Sequence, residues 1–335
     1  MLRRHPAPGK RRPVVTREVV RPPRLRRGGT IALVAPSSQC EAESIAAALE
    51  FYRKQGYKVV LGENVRNLRR VGYFSGTVEE RARELHAAFK DDAVDAIFAI
   101  RGGIGASWLL PDIDYALIRD HPKIFMGYSD VTSLHLAFQK ECGLVGFHGP
   151  AGGLHTGGGS EDLKNRKANL RRALGLLGRA EPWREVKNPP GTRFVRTGFS
   201  GTAEGALIGG NLSLVTELVG TPWAPELNDR LFFFEGVEAP AAGLDRDLVQ
   251  LYLAGLLAKS AGLIAGEFSD RPKPEAEGDP SIEEVLFQWF RKLRKPAVEG
   301  FTIGHGSHKL LLPIGTRARI EADSGRLTIT ERALD

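Results

Sequence analysis

The stretch that decides the fold reads Phe125-Met-Gly-Tyr-Ser129-Asp-Val-Thr132, in which an apolar strand runs directly into Gly-x-Ser-Asp and then a helical pattern. A serine on such a tight strand-to-helix turn presents its hydroxyl above the edge of the sheet. The start of the following helix offers backbone N–H groups to a developing oxyanion. The sequence therefore predicts a nucleophile elbow at Ser129, and a helix cap at Ser129 or Asp130 is the simpler alternative.

Short apolar runs alternate with helical periods on both sides of this turn, a pattern typical of a parallel sheet covered by helices. Pro36 stops the first strand, and Gly56 ends the helix that follows it. We expect an α/β fold with an N-terminal parallel sheet and flanking helices. Its strands are predicted at residues 31–35, 57–61, 96–100, 123–128 and 144–147, and its helices at 41–55, 79–89 and 130–138.

A connecting region follows residue 155, with a glycine run at 157–159, a helical pattern at 163–177 and the turn Pro189-Pro-Gly191. Beyond it we predict a C-terminal mixed α+β domain. Its strands are predicted at 230–234 and 263–266, its helices at 247–257 and 282–293, and a closing hairpin at 317–320 and 326–330. The predicted domains are a disordered basic tail (1–20), an N-terminal α/β domain that carries the nucleophile (21–185) and a C-terminal domain (186–335).

The net charge of +7 is concentrated at the start of the chain. Residues 1–28 hold ten basic side chains against one acid, whereas the other 307 residues carry 37 basic and 39 acidic side chains. The other 307 residues therefore show no excess of basic side chains of the kind that binds nucleic acid. A role in binding nucleic acid is considered only for the tail. Prolines among the arginines predict disorder there, and no apolar stretch typical of a secretory signal is present.

Length and composition indicate a two-domain globular protein. The 335 residues are 42% hydrophobic, and no apolar run approaches the length of a transmembrane helix. Two cysteines, Cys40 and Cys142, fit neither a disulfide framework nor a Cys-x-x-Cys site. We expect a soluble protein of the reducing cytoplasm that has no membrane partner.

A glycine-rich turn, Arg101-Gly-Gly-Ile-Gly105, also follows a predicted strand, where open α/β sheets bind ligands. Glycines let a substrate approach the backbone, so the N–H of Gly103 is a candidate oxyanion donor. The turn lacks the Gly-x-Gly-x-x-Gly spacing of a dinucleotide site, and an ordinary tight turn is the alternative.

Two later segments carry groups that a serine nucleophile needs. Phe232-Phe-Phe-Glu235 ends an apolar strand in a carboxylate, and Ile303-Gly-His305-Gly-Ser-His308 places two imidazoles in a glycine-rich loop. A hydroxyl needs a base and the base needs an orienting carboxylate, so Ser129, Glu235 and His305 are candidates for a triad. A solvent-facing acid is the alternative for Glu235. No cysteine or carboxylate cluster lies near the two histidines, so no metal is expected.

Taken in order, these segments resemble the LD-carboxypeptidase family of serine peptidases, which includes muramoyl-tetrapeptide carboxypeptidases and microcin C immunity proteins. The resemblance runs from about Arg21 to the C-terminus, and six or more motifs in the right order make it specific. The motifs are Pro23-Arg-Leu-Arg-Arg-Gly-Gly-Thr-Ile-Ala-Leu-Val-Ala-Pro-Ser37, Ser75-Gly-Thr-Val-Glu-Glu-Arg81, Arg101-Gly-Gly-Ile-Gly-Ala106, Gly127-Tyr-Ser-Asp-Val-Thr132, His148-Gly-Pro150, Gly205-Ala-Leu-Ile-Gly-Gly-Asn-Leu212, Asp245-Arg246, and Gly304-His305 followed by Leu312-Pro-Ile-Gly315.

The resemblance implies a serine peptidase that forms an acyl-enzyme, requires no cofactor and assembles as a homodimer. The residues it implies are the catalytic Ser129, Glu235 and His305 and the oxyanion-hole backbone of Gly103 and Asp130. His305 is favoured over His308 because it occupies the family's Gly-His step. Glu238 remains an alternative to Glu235, since this chain departs from the family's acidic stretch there and has Ile104 where an aromatic residue is usual.

An exopeptidase must also hold a free carboxylate, and Arg101 and Arg246 are the candidates. The first hypothesis is a murein-recycling carboxypeptidase that removes a terminal D-alanine from cytoplasmic tetrapeptides. The second is an immunity-type hydrolase of peptidyl or acyl nucleotides, in which Trp183 would stack on the base, although a packing role for Trp183 is simpler. A non-catalytic binding protein on the same scaffold is a third, and a DNA-associated protein recruited through the tail is a fourth.

Overall fold

The computed structural model describes residues 18–155, 162–269, 276 and 278–335. The predicted disordered tail therefore falls almost wholly outside the described residues, as does the glycine run at 157–159. Of the last tail residues, Val20 forms a parallel β-bridge with Leu144. In the parts of the chain described, no helix has both the length and the apolar character needed to cross a bilayer.

The described chain alternates strands and helices. Its strands are β1 (Thr30–Val34), β2 (Lys58–Leu61), β3 (Ala96–Ala99), β4 (Ile124–Gly127), β5 (Gly146–His148), β6 (Arg184–Val186), β7 (Arg196–Phe199), β8 (Thr202–Asn211), β9 (Leu231–Val237), β10 (Gly262–Ser269), β11 (Ala297–Glu299), β12 (Leu312–Ile314), β13 (Arg317–Glu321) and β14 (Arg326–Ile329). Its helices are α1 (Ala42–Lys54), α2 (Glu63–Arg66), α3 (Val78–Lys90), α4 (Tyr115–Asp120), α5 (Thr132–Cys142), α6 (Leu163–Leu177), α7 (Leu212–Glu217), α8 (Ala241–Leu253) and α9 (Ile282–Leu293).

The N-terminal sheet has the strand order β12-β5-β4-β3-β1-β2 within the described residues. Strands β1 to β5 pair in parallel, and β12 adds to the β5 edge antiparallel. Strands β1, β3 and β4 are almost wholly buried, as expected for central strands that carry helices on both faces. The predicted N-terminal parallel sheet with flanking helices is confirmed.

The C-terminal sheet has the strand order β6-β14-β13-β8-β9-β10-β11-β7 in the described chain. Its centre, β8 to β11, is parallel, and its outer pairings are antiparallel. Phe232, Phe233 and Phe234 of β9 are all buried, which explains why such an apolar run forms a central strand. The predicted mixed α+β character of this half is confirmed.

The predicted elements differ from those of the structure at several places. The helix expected at 247–257 is α8, which begins after Pro240 and ends before Gly255 (φ +71°). Proline suits a helix start, and a glycine with positive φ suits its end. Strand β8 was not predicted because its glycines weaken the strand pattern, and β12 was not predicted because it is short and contains Pro313.

Candidate active site

Ser129 occupies a strained turn at the end of β4. Its φ is +63°, in the left-handed region that non-glycine residues rarely adopt. The apolar β4 places this turn at the carboxyl edge of the parallel sheet, and a short 3₁₀ turn over Ser129–Val131 leads into α5. The hydroxyl-bearing side chain is half-buried rather than packed away. The predicted elbow geometry at Ser129 is therefore present.

The glycine-rich turn after β3 lies directly against this serine. A Cβ added to Gly102 would stand 2.7 Å from the Ser129 Cβ and 2.9 Å from its Oγ, so only glycine permits the approach. Gly103 has a φ of +114° and lies against Ser38. The Ser38 Oγ accepts a hydrogen bond from the Ile104 N–H at 3.3 Å, and the Ser38 N–H donates to the Gly102 carbonyl at 3.4 Å. Ser38 thus helps to orient the peptides of the turn.

Two buried side chains of opposite charge, Arg81 and Asp130, hold the same turn from its other side. The Asp130 Oδ2 accepts a hydrogen bond from the Ala106 N–H at 2.7 Å, while the Arg81 Nη1 donates to the carbonyls of Gly105 and Pro36, each at 2.7 Å. Asp130 and Arg81 are 3% and 1% exposed. Burial raises the pKa of the Asp130 carboxyl, against the opposing effect of the loop N–H groups and the Arg81 charge. The sequence did not predict this clamp.

Glu235 and His305 meet across the C-terminal half. Glu235 is fully buried near the end of β9, and its Oε2 lies 2.8 Å from the Nδ1 of His305, in the loop between β11 and β12. Burial disfavours the ionised carboxyl, but the charge and hydrogen bond of His305 outweigh this, so the pKa of Glu235 lies below its ordinary value. An ionised carboxylate only accepts hydrogen bonds, so Nδ1 donates and Nε2 is left to accept a proton.

Gly304 makes this contact possible. Its φ is +125°, and a Cβ there would stand 2.8 Å from the Glu235 Oε2. On the cleft side, the Tyr128 ring lies 4.7 Å from the His305 ring, centroid to centroid. Behind the pair lies His148, which is fully buried. Burial lowers the pKa of His148 to about 4, so it is neutral at neutral pH.

Several of these groups border one cleft with a volume of about 590 Å³. The cleft lies where loops from the carboxyl edges of the two sheets face each other, which is the usual place for ligands in α/β folds. Ser129, His305, Gly102, Gly103 and Arg101 line it together with Tyr128. The structure therefore brings the predicted nucleophile, base and glycine turn to a single cleft, with Glu235 in contact with the base.

Several other predicted candidates lie elsewhere. Arg246 is exposed on α8 and is not among the residues that line the cleft, so the geometry of the single chain gives its predicted substrate role no support. Glu238 is exposed, in contrast to the buried Glu235. Trp183 is 8% exposed and packs against Phe147 with ring centroids 5.8 Å apart. That tryptophan has the simpler packing role and does not offer a face on which a base could stack.

Several residues that line the cleft were not predicted, among them Arg166, His155 and Lys309. Arg166 lies in the first turns of α6, and His155 follows β5. Arg166 belongs to a helix rich in basic residues, a pattern that ordinarily indicates a solvated face, so no sequence signal marked it. Among the described residues, no group of three or more His, Cys, Asp or Glu side chains is arranged to hold a metal ion.

Two protein-family domains match this chain, one in its N-terminal half and one in its C-terminal half. Residues 31–149 match the LD-carboxypeptidase N-terminal domain, and residues 204–320 match the LD-carboxypeptidase C-terminal domain. Among curated relatives, a probable murein peptide carboxypeptidase of Bacillus subtilis (strain 168) is 37% identical over 299 residues, covering 89% of this chain and 90% of the relative.

Solved structures of proteins from this family are similar to this chain over most of its length. The microcin C7 self-immunity protein MccF in complex with glutamyl sulfamoyl guanosine is similar with a TM-score of 0.84 and 26% identity, over 94% of this chain and 99% of that chain. A muramoyltetrapeptide carboxypeptidase from Oxalobacter formigenes is similar with a TM-score of 0.75 and 27% identity, over 89% and 97%. The chain therefore belongs to the LD-carboxypeptidase family and is an enzyme of the carboxypeptidase type.

Proposed function

We propose that this enzyme is a cytoplasmic serine carboxypeptidase that hydrolyses the C-terminal L,D peptide bond of murein tetrapeptides. Ser129 is the nucleophile, His305 is the general base and Glu235 orients the base. The observation that carries the proposal is the 2.8 Å contact between Glu235 and His305 at a cleft that His305 shares with the strained Ser129. This is the arrangement that nucleophilic catalysis by a serine requires.

In the first half of the reaction, the His305 Nε2 takes the Ser129 proton while Oγ attacks the scissile carbonyl. The carbonyl oxygen becomes negatively charged, and the backbone N–H groups of Gly103 and Asp130 stabilise it. His305 then gives the proton to the leaving amine, which departs as a free D-amino acid. The remaining peptide stays bound to Ser129 as an ester.

In the second half, a water molecule replaces the departed amine. His305 takes a proton from this water, which attacks the ester carbonyl, and the same two N–H groups stabilise the second oxyanion. The proton returns to the Ser129 Oγ as the shortened peptide leaves with a new carboxyl group. Throughout, Glu235 accepts the Nδ1 hydrogen bond and balances the charge of the transient imidazolium.

The strain and the clamp of the nucleophile turn support this assignment. A left-handed serine costs on the order of 1–3 kcal/mol, and such strain persists only when surrounding contacts hold it in place. Gly102 and the Arg81–Asp130 pair supply those contacts. The hydroxyl is therefore positioned before substrate arrives, which is how an active site lowers the entropic part of a barrier.

The choice of a murein peptide as substrate is supported by the Bacillus subtilis and Oxalobacter formigenes proteins, whose names describe such an activity. Family resemblance also supports a homodimer. Arg101 lines the cleft beside Gly102 and is the candidate to hold the terminal carboxylate. The likeness to MccF bound to glutamyl sulfamoyl guanosine favours a second candidate, hydrolysis of a peptidyl or acyl nucleotide at the same triad.

One experiment separates the two candidates. The enzyme is incubated in parallel with a murein tetrapeptide ending in D-alanine and with a peptidyl nucleotide, and the products are identified by mass spectrometry. The proposal expects free D-alanine and a tripeptide, with no product from the Ser129→Ala variant. Cleavage of the nucleotide alone would assign the second function instead, and turnover by the variant would remove Ser129 from either mechanism.

A further inference from the structure

The loop that carries His305 crosses from one sheet to the other. It spans residues 300–311, here called the base loop, and joins β11 of the C-terminal sheet to β12, which pairs with β5 of the N-terminal sheet. Its two ends meet where the Leu310 N–H donates to the Thr302 carbonyl at 2.8 Å. The contact with Glu235 orients the His305 ring but does not hold the backbone that follows it. A base must stay within hydrogen-bond reach of its nucleophile, so this backbone needs contacts of its own.

A side chain of α6 supplies such contacts. Asn169 is fully buried, and its Nδ2 donates to the Ser307 carbonyl at 3.0 Å. Its Oδ1 accepts a hydrogen bond from the Lys309 backbone N–H at 3.1 Å and another from the Arg172 guanidinium. One side chain therefore holds the backbone of the base loop at two points, two and four residues after His305.

The three partners of Asn169 together require an amide. The Lys309 N–H and the Arg172 guanidinium can only donate, whereas the Ser307 carbonyl can only accept. A carboxylate could serve the two donors but not the carbonyl, and an apolar side chain could serve none of them. Asn169 is thus matched to the base loop by its chemistry as well as by its position.

The helix that carries Asn169 is attached to the half of the chain that contains the nucleophile. The Leu177 carbonyl at the end of α6 accepts a hydrogen bond from the Leu25 N–H at 2.8 Å, and the Arg171 guanidinium lies over the Phe51 ring of α1. Helix α1 in turn packs against β2 of the N-terminal sheet. Asn169 therefore ties the base loop to the same half of the chain that positions the nucleophile turn.

Lys309 extends this connection to the cleft. Its side chain is buried, and its Nζ donates to the Gly306 carbonyl at 2.8 Å and lies 5.2 Å from the centroid of the Tyr128 ring. Tyr128 directly precedes the nucleophile, and its ring contacts the ring of His305. By holding the backbone of Lys309, Asn169 also sets where this side chain lies between the base loop and the nucleophile turn.

We propose that Asn169 is a positioning residue of the active site, which holds the base loop so that His305 stays where it can activate Ser129. The inference rests on the proposed serine mechanism and adds to it a residue outside the cleft, since Asn169 is not among the described residues that line the cleft. Because Asn169 acts through the loop and not on the substrate, its loss should slow turnover without weakening substrate binding.

The first test measures the activation of Ser129 with a fluorophosphonate, a reagent for activated serines that does not depend on the peptide substrate. The Ser129 Oγ attacks phosphorus, fluoride leaves, and His305 takes the hydroxyl proton. Asn169→Ala should lower the second-order rate constant of labelling roughly 10- to 100-fold, because a displacement of about 1 Å costs on the order of 10²-fold in rate.

The matched control is Asn165→Ala, one turn earlier on α6. The recorded hydrogen bond of Asn165 is made by its backbone N–H, which the substitution keeps. Its labelling rate constant should stay within about twofold of wild type. All variants are first shown to be folded by circular dichroism at the assay temperature. Under that condition a purely structural role for Asn169 would leave the rate constant unchanged.

The second test uses a murein tetrapeptide. For Asn169→Ala, kcat should fall by about the same factor as the labelling rate constant, whereas KM should stay within about threefold of wild type. Asn169→Asp keeps an acceptor for the Lys309 N–H and loses the donor to the Ser307 carbonyl, so its rate constants should lie between those of wild type and Asn169→Ala. This variant takes the place of Asn169→Ala if the latter does not fold.

A labelling rate constant within about twofold of wild type in the folded Asn169 variant would overturn the positioning role. An equal loss in Asn165→Ala would overturn it too, as would a raised KM with unchanged kcat, which would make Asn169 a substrate contact. The labelling result holds even if the tetrapeptide is not cleaved. Absence of labelling at Ser129 in the wild-type enzyme would instead contradict the proposed function, and the inference would fall with it.

Discussion

The two halves of the proposed catalytic machinery are built differently. The nucleophile turn is held by many contacts: Gly102 touches Ser129, and the Arg81–Asp130 pair clamps the glycine loop through backbone groups at 2.7 Å. The proposed base, in contrast, is held by the 2.8 Å hydrogen bond between His305 and Glu235 and by ring contact with Tyr128. The turn at Ser129 keeps a strained backbone because several contacts hold it in place. The position of the His305 ring depends on one charged contact in a loop.

This difference separates the expected consequences of mutation. Changes at the Glu235–His305 contact should remove chemistry and leave the fold intact, because few other contacts depend on it. Changes in the frame around Ser129 should lower activity and stability together, because the same hydrogen bonds serve both. The following variants test that division.

The largest effect is expected for Glu235→Gln. Loss of the charge leaves the His305 imidazolium without its counter-ion and frees the ring to adopt the wrong tautomer, so kcat should fall roughly 10³- to 10⁴-fold. Circular dichroism should show an unchanged fold. Glu238→Gln is the matched control, because this neighbouring acid is exposed, and its rate should stay within about twofold of wild type. A comparable loss in the control would reassign the orienting carboxylate.

A smaller loss is expected for Gly102→Ala. The added methyl group would lie 2.7 Å from the Ser129 Cβ, so the serine must shift, and a displacement of about 1 Å costs on the order of 10²-fold in rate. Melting temperature should fall as well. Gly175→Ala, within α6, has no heavy atom within 4 Å of the new Cβ and should be stabilising by roughly 0.5–1 kcal/mol. Normal activity in Gly102→Ala would contradict the close approach of Gly102 to the Ser129 side chain.

Asp130→Asn should weaken the clamp. Its amide can present NH₂ where the Ala106 N–H now finds an acceptor, and it removes the negative charge that favours the ionised form of the buried Arg81. We expect a loss of stability of about 1–3 kcal/mol in urea denaturation and a drop in kcat of roughly tenfold. Asp112→Asn, at an exposed position in the short 3₁₀ helix that follows Ala106, serves as control. A loss of rate with unchanged stability would show that the hydrogen bonds of Asp130 do not serve both activity and stability.

The last effect concerns the pH dependence of stability rather than the rate. Burial lowers the pKa of His135 to about 3 and that of His148 to about 4, well below the ordinary value of about 6.5. Between pH 6.5 and 4 the unfolded chain therefore binds more protons than the folded one, so stability should decrease as the pH falls through this range. His148→Leu should flatten the decrease by about 1–3 kcal/mol in urea titrations across this range. An unchanged slope would show that His148 is not buried as a neutral group.

The same contrast explains what the sequence could predict. The strand-turn-helix around Ser129 is local, so its residues alone indicated the elbow, and the long apolar runs of β1, β3, β4 and β9 indicated buried strands. The choice of Glu235 over Glu238 and of His305 over His308 is different, since the contact joins residues 70 positions apart. Spacing alone left both pairs open, and only family resemblance favoured the residues that meet.

Other features of the structure left no pattern in the sequence from which they could be predicted. Arg81 lies in a helix rich in charged residues, where an arginine ordinarily faces solvent, yet it is 1% exposed because the carbonyls of Pro36 and Gly105 accept its hydrogen bonds. Strand β12 lies far along the chain from β5, its partner in the N-terminal sheet. Such long-range contacts depend on tertiary packing rather than on local propensity.

The central claim is that Ser129 attacks the substrate with His305 and Glu235 as its activating pair. Its most direct test is intact-mass spectrometry after rapid quenching of the enzyme with a murein tetrapeptide, followed by peptide mapping. The expected result is a transient covalent adduct of the tripeptide acyl group on Ser129, absent in Ser129→Ala and greatly slowed in Glu235→Gln. An adduct on another residue, or tetrapeptide hydrolysis by Ser129→Ala at the wild-type rate, would contradict the account.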